Sequence, residues 1–336
     1  FRYAFTGPGA LTIVNNENRD LQWQADQQIN LGIDFTILNN RISGTVDYFH
    51  KKTTDLLFPK VSAQPVAPGA PPTWTNLDAE IVNKGVEVTV FASIIKQREL
   101  VWDLGVNASF IKNTVDGLAA PILTGALHGQ GISGASVQQI VNGQPLNVFY
   151  TKQYLGINKT TGIADYADEG YVLYYLGNPN PSTLLGISSS LSYKKWYFNL
   201  NFNGALGQEL YNNTANTVLP IGNLNGGRNI AKALVEGDVQ ESIANFISPS
   251  SRYLENGSYV KLANATLQYN IGSIGKTFKN VFVYVAGQNL LVFTKFTGFD
   301  PEVNTDKQVN GIPSVGIEYT PYPSARSFQF GLNFNL

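Results

Sequence analysis

Few side chains in this sequence could do chemistry, and their spacing limits what that chemistry could be. The 336-residue chain has no Cys and only two His, His50 and His128. Thiolate metal sites, disulfide frameworks and cysteine nucleophiles are thereby excluded, and a multi-histidine metal centre lacks ligands. Neither His lies in a Gly-x-Ser-x-Gly or His-Glu-x-x-His pattern, so no enzymatic activity and no cofactor is expected. His50 stands beside Lys51 and Lys52 at the end of an alternating segment, the place of a rim residue rather than a ligand. Asp165, Asp168 and Glu169 cluster in ADYADEG, but their spacing misses the EF-hand loop and suits a solvated loop. Asp300 and Glu302 flank Pro301, whose fixed backbone favours a loop anchor over a metal site.

What remains is recognition by aromatic faces, amides and hydroxyls, the groups that hold sugars and peptides. Trp74, Tyr150, Tyr211 and Tyr253, with Asn212 and Arg252 near two of them in sequence, are the candidate substrate-binding residues. Each has an alternative role in packing loop against loop. Charged residues make up 14% of the chain against roughly 25% in average soluble domains. Asn is abundant instead, at 34 residues, and the net charge is −1. A nucleic-acid partner is not expected, because counterion release needs clustered Lys and Arg. A polar surface of amides and hydroxyls fits a neutral or mixed solute better than a highly charged one. The chain opens on Phe1 and contains no Met, so a larger protein of which this is a piece is expected.

The elements that must position these residues show period-two alternation. Phe328, Phe330, Leu332, Phe334 and Leu336 alternate with Ser327, Gln329, Gly331, Asn333 and Asn335. Apolar and polar sets then point to opposite faces of a strand. Eight further segments follow, around residues 29–37, 42–48, 86–92, 100–110, 185–193, 196–202, 265–271 and 281–291, the last apolar on both faces at its start so that its frame stays open. These predict nine strands, with one or two more conceivable between Val148 and Tyr175. A short helix is expected within Ile230 to Phe246. No run of 18 apolar residues offers a transmembrane helix.

The connections alternate in length. Tight links are predicted at Asn39-Asn40, which suits a type I′ turn, near Lys96-Gln97, at Lys194-Lys195, and between Gly272 and Asn280. Between them lie long connections: Thr53–Lys84, Lys112–Thr183, Gly204–Gly257 and Val292–Ala325. Loops of that length are uncommon in compact soluble domains. Short turns at one end and long loops at the other are the pattern of an outer-membrane β-barrel. The predicted fold class is all-β, an antiparallel transmembrane barrel portion. Tight turns lie on the periplasmic side in such barrels, which places Leu336 there too. Nine is odd whereas single-chain bacterial barrels have even strand numbers, so at least one upstream strand is expected. Tyr193 and Trp196 flank Lys194-Lys195 and are predicted to belong to a membrane-interface girdle.

Six segments carry a recognisable pattern: Leu21-Gln22-Trp23 with INLGIDFTILNNRISGTVDYFHKKTTDLL from Ile29, NKGVEVTV from Asn83, and LGNPNPSTLLGISSSLSYKKWYFNLNFNGALGQELYN from Leu176. GSYVKLANATLQYNI from Gly257, GQNLLVFTKFTGFDPEV from Gly287 and YPSARSFQFGLNFNL from Tyr322 complete the series. In these segments, taken in order and over nearly its whole length, the sequence resembles the SusC/RagA-like branch of the TonB-dependent outer-membrane transporters. The last residue is Leu336 where Phe is usual. The resemblance implies a barrel of roughly 22 strands, of which residues 1–336 are the C-terminal part. A plug domain and a TonB-contacting segment would lie upstream. It implies energy-coupled import of glycans or oligopeptides across the bacterial outer membrane, with a SusD-like surface lipoprotein as partner. A passive porin-like channel is the alternative. A secreted all-β carbohydrate-binding protein is less compatible, since it would show polar outward faces and short loops at both ends.

Overall fold

A computed structural model describes residues 2–7, 10–60, 71–129, 132–236, 241–302, 305, 307–309 and 311–335. Nine long strands form one antiparallel sheet: β1 (Ala25–Ile37), β2 (Ile42–Thr54), β3 (Glu80–Lys96), β4 (Leu100–Asp116), β5 (Thr183–Tyr193), β6 (Trp196–Leu206), β7 (Tyr259–Ile274), β8 (Phe278–Thr294) and β9 (Ser327–Asn335). They pair in simple sequence order, each with the next, as a meander of hairpins requires. The nine expected strands are present, and for the strand around 281–291, whose frame the sequence left open, the register puts Val283 and Val285 on the apolar face. β1 and β9 stand at the two ends of the order and are not paired with each other.

The tight links lie where turn chemistry puts them. Asn39 and Asn40 both adopt positive φ, at 53° and 62°, and the Arg41 amide donates to the Leu38 carbonyl at 3.2 Å. Leu38 shares the left-handed backbone at φ 53° and pairing stops at Ile37 with Ile42, so the link is a four-residue loop, and its two Asn tolerate the strain through their short polar side chains. Tyr193 pairs directly with Trp196, so Lys194-Lys195 closes a two-residue hairpin. The link predicted between Gly272 and Asn280 is tighter than expected, and β7 and β8 run on to Ile274 and Phe278. Register shifts on either side of Gly272, itself at φ 99°, carry the extra residues as bulges.

The region from Val148 to Tyr175 holds four short strands, Val148–Thr151, Tyr154–Ile157, Ala164–Tyr166 and Tyr174–Gly177. None joins the nine-stranded sheet; they belong to small sheets of the second long loop. The helix expected in 230–246 is the single turn Ala233–Glu236, and residues 237–240 lie outside the described residues, as does Leu336. A further helix, Asn213–Val218, starts where the Asn212 side chain accepts from the Ala215 amide at 2.8 Å.

The buried apolar core of the described residues lies in the loops. Leu127, Ile132, Val137, Phe149, Tyr211 and Ile317 pack together, drawn from the second, third and fourth long connections. Ala135, Ile247, Tyr253 and Leu254 pack around them. The long loops thus form a cap with its own core at one end of the wall.

Candidate functional site: the two-faced wall and its loop cap

Register sorts the wall into two faces, because residues paired across antiparallel strands share a side. One row runs Ile33, Val46, Val88, Ala108, Leu185 and Gly204 from β1 to β6. Another runs Leu191, Phe198, Leu267, Val285 and Phe330 from β5 to β9. Below its loop-end rows this face is predominantly apolar, and it is bare: Ile33 is 71% and Phe330 80% exposed. Its one indole inside the belt has a partner, since Trp102 Nε1 donates to Ser189 Oγ at 3.0 Å, a hydroxyl in the same apolar face. At the tight-turn end, Tyr193, Trp196 and Tyr269 are successive cross-strand neighbours on this face, the last two rings 4.6 Å apart.

The opposite face is a ladder of amides and hydroxyls. One row runs Asp34, Thr45, Thr89, Asn107, Gly186 and Asn203. The next runs Gly105, Ser188, Asn201, Asn264, Gln288 and Ser327. Phe91 packs against Gly105, where an added Cβ would stand 2.9 Å from its ring. Beside it a shallow cavity of about 350 Å³ is lined by Thr89, Asn107, Ser188 and Asn201. The strand pattern showed these residues only as the polar partners of apolar ones; the register brings them together.

The cap bends over this polar face. Asn113, on the polar side of β4, accepts from the Leu146 amide of the second loop at 2.8 Å. Asn203 Nδ2 donates to Glu302 of the fourth loop at 3.3 Å, and Lys261 forms an ion pair with the same carboxylate. Asp300 accepts from the Glu302 amide at 2.9 Å and from Ser324 Oγ at 2.6 Å, which fixes the Asp300-Pro301-Glu302 turn as that anchor. Polar loop groups thus reach the amide ladder and leave the apolar face uncovered.

Four of the six candidate residues meet in the cap. Tyr211 is fully buried, its hydroxyl accepting from Asn216 Nδ2 at 3.0 Å and from the Ser250 amide at 3.3 Å. Asn212 is buried as well and donates to Glu255 at 2.9 Å while capping the helix. Arg252 makes a two-pronged pair with Glu241, at 2.9 and 2.6 Å, and lies over the rings of Tyr154 and Tyr253. Burial opposes the Arg252 charge, yet the paired carboxylate and the neighbouring phenols hold its pKa above the ordinary value. Burial pushes the Tyr253 phenol up to about 12. Tyr211 and Asn212 are closed to solvent, so in this conformation they shape the loop rather than touch a solute. Tyr150 stacks on Tyr175 with centroids 4.8 Å apart, and Trp74 sits on the separate hairpin Leu56–Lys60 and Thr73–Leu77. Asp168 accepts from the Tyr174 hydroxyl and Asp165 from Asn158 Nδ2. Among the described residues, no group of three or more acidic or histidine side chains is placed to hold a metal ion.

An antiparallel wall with one bare apolar face, one amide-lined face and loops gathered at a single end defines an outer-membrane β-barrel wall. The profile of the family described as "TonB dependent receptor-like, beta-barrel" matches residues 1–290, and the chain belongs to that family. It is an outer-membrane protein of a family of transporters and receptors rather than of enzymes. The chain is 29% identical to TonB-dependent receptor P3 of Formosa agariphila over 98% of its own length and 36% of that relative. It is 26% identical to TonB-dependent receptor SusC of Bacteroides thetaiotaomicron, over 94% of this chain and 32% of that one. The chain therefore spans about a third of the length of these curated relatives. Among solved structures, that of the RagAB peptide transporter superposes with a TM-score of 0.75 at 23% identity, covering 99% of this chain and 38% of that one. That likeness is one of fold.

Proposed function

We propose that this chain is the C-terminal part of the barrel of a TonB-dependent importer that carries a nutrient, a glycan or an oligopeptide, across the outer membrane. The observation that carries this reading is the separation of a predominantly apolar face from a predominantly polar one across nine strands, with the cap folded onto the polar one. A polar lumen of amides and hydroxyls suits a neutral solute rich in hydrogen-bonding groups. The plug, the TonB-contacting segment and the remaining strands of a roughly 22-stranded barrel belong upstream in this reading. It is supported by the unpaired β1 and β9 edges, which lipid does not tolerate, and by relatives nearly three times as long. A SusD-like lipoprotein is the proposed extracellular partner. Trp74, Tyr150, Arg252 and Tyr253 are the proposed cap residues nearest a solute, with Tyr211 and Asn212 holding their loop. Tyr193 and Trp196, in contact with outer-membrane lipid, form the proposed periplasmic girdle.

The test is uptake by cells that carry the full-length protein. Growth on a defined glycan or peptide should fail when the gene is deleted, and should fail equally when TonB is removed. Growth that persists without TonB but needs the gene would replace energy-coupled import by a passive channel.

A further inference from the structure

Three cation-capable side chains stand directly side by side on the outward face of the wall. His50 on β2 pairs across strands with Lys84 on β3, and Lys84 pairs with Lys112 on β4. Neighbours in such a row are about 5 Å apart at Cβ, so like charges placed there repel one another. Among the described residues no carboxylate comes within ion-pair distance of Lys84 or Lys112, and both side chains are exposed. Their neighbours are not short of partners: Lys51 is held by Asp26 at 3.1 Å and Lys52 by Glu80 at 2.6 Å. Glu80 and Asp116 stand two rows nearer the loops on the same face and leave the row open.

The height of this row is defined by what lies beneath it. The next outward row is Tyr48, Val86 and Phe110, and the apolar belt continues from there to Leu100 at the tight-turn end. Ten residues of tilted strand separate Leu100 from Phe110, about 24 Å along the membrane normal, which matches the usual barrel belt. The row therefore begins just above the acyl region, at headgroup level of the outer leaflet. The charge is also local. The outward residues at the loop end of β5 to β8 are Thr183, Gly204, Val260 and Phe293, none of them charged.

We propose that His50, Lys84 and Lys112 form a binding site for the phosphomonoester headgroup of an outer-leaflet lipid. A phosphomonoester carries between one and two negative charges and three strong acceptor oxygens. One such group set between Lys84 and Lys112, with His50 as a third donor, removes the repulsion that the register imposes. The acyl chains of the same molecule lie on Tyr48, Val86 and Phe110. That continuity of cationic row and apolar row selects a lipid over a free anion. The site depends on the outward direction of the apolar face and not on import or on any substrate.

The test is native mass spectrometry of the full-length protein released from its own outer membrane in mild detergent. The wild type should retain a phosphomonoester lipid. Lys84→Gln with Lys112→Gln should lower its retention by about tenfold or more, as loss of two charge-assisted contacts predicts. Lys84→Arg with Lys112→Arg should keep it, and Lys194→Gln with Lys195→Gln at the opposite end should not alter it. Unchanged retention in the Gln pair overturns the site, and so does retention of a phosphate-free lipid in its place. Delipidated protein that takes up inorganic phosphate as tightly as the lipid shows a free-anion site and overturns the lipid assignment. Heat-modifiable migration on gels confirms that each variant is a folded barrel before the comparison is made.

Discussion

The wall and the cap use the same apolar residue types in opposite ways. In the wall, Ile33, Phe330 and their neighbours stand bare on one face, and order comes from backbone ladders and strict alternation. In the cap, Phe149, Leu127 and Ile317 are fully enclosed and surrounded by buried amides and carboxylates. The hydrophobic effect builds the cap as it builds a soluble domain. It cannot hold wall strands together in the same way, because acyl chains are as apolar as the side chains they meet. The wall is held by the cost of an unpaired backbone in lipid. One chain therefore carries two stabilising regimes, and a given substitution should act through one of them.

The sharpest way to separate the two is to break the cap's buried ion pair. Arg252→Gln leaves Glu241, whose side chain is 4% exposed, without its counter-charge. A loss of about 3–5 kcal/mol is expected, confined to the third loop. Protease cleavage between residues 241 and 253 should rise sharply while heat-modifiable migration of the barrel stays normal. Next in size is a charge on the bare face: Ile187→Arg, near the middle of the belt, should cost about 2–4 kcal/mol. It should be read as lost refolding into lipid vesicles with cap proteolysis unchanged. Equal effects of both variants on both readouts would erase the distinction.

A smaller effect tests whether the belt tolerates any polar group without a partner. Ser189→Ala removes the acceptor of the Trp102 indole and should cost about 1–2 kcal/mol, whereas Ser189→Thr should cost less. Chemical unfolding in detergent would resolve the pair. The smallest effect concerns pH. Burial raises the Glu318 carboxyl above its ordinary value, opposed in part by the hydrogen bonds of Thr214. A carboxyl whose folded pKa is raised binds its proton more tightly in the folded cap. The charge therefore weakens the cap above that raised pKa, and the weakening fades as pH falls toward the ordinary carboxylate value. Cap proteolysis should slow as pH falls from neutral toward the ordinary carboxylate range, and Glu318→Gln should flatten the dependence.

The wall was legible because its environment repeats every two residues. Ile29 to Ile37 and Phe328 to Phe334 alternate since lipid and lumen alternate, and no distant contact is needed to read them. The turns were legible for a local reason too, as at Asn39-Asn40. The cap was not, because most of its strands are two to five residues long, and the longer pair Ile122–Gly129 and Ile132–Ile140 lacks the sustained alternation of the wall. Gln138 Nε2 donates to the Val315 carbonyl at 2.6 Å across 177 residues, and no window of sequence contains that bond. Sequence proximity paired Tyr211 with Asn212 and Arg252 with Tyr253, but not the one pair with the other. That two of them would be buried follows from partners such as Glu255 and Ser250, which sequence spacing does not point to. The Asn212 cap was readable in principle, since Asn before a short polar run is a helix-start signal. The amide ladder of Asn107, Asn201 and Asn264 was visible residue by residue, but its continuity depends on register.

The third and fourth loops are joined by a two-rung parallel pairing, Tyr211 with Ile317 and Asn212 with Glu318, and the Tyr211 amide donates to the Gly316 carbonyl at 2.8 Å. Such a clasp makes the two loops one lever. Neither can swing aside alone without breaking backbone hydrogen bonds in a dry interior, so the two loops are tied into one piece on this flank of the cap.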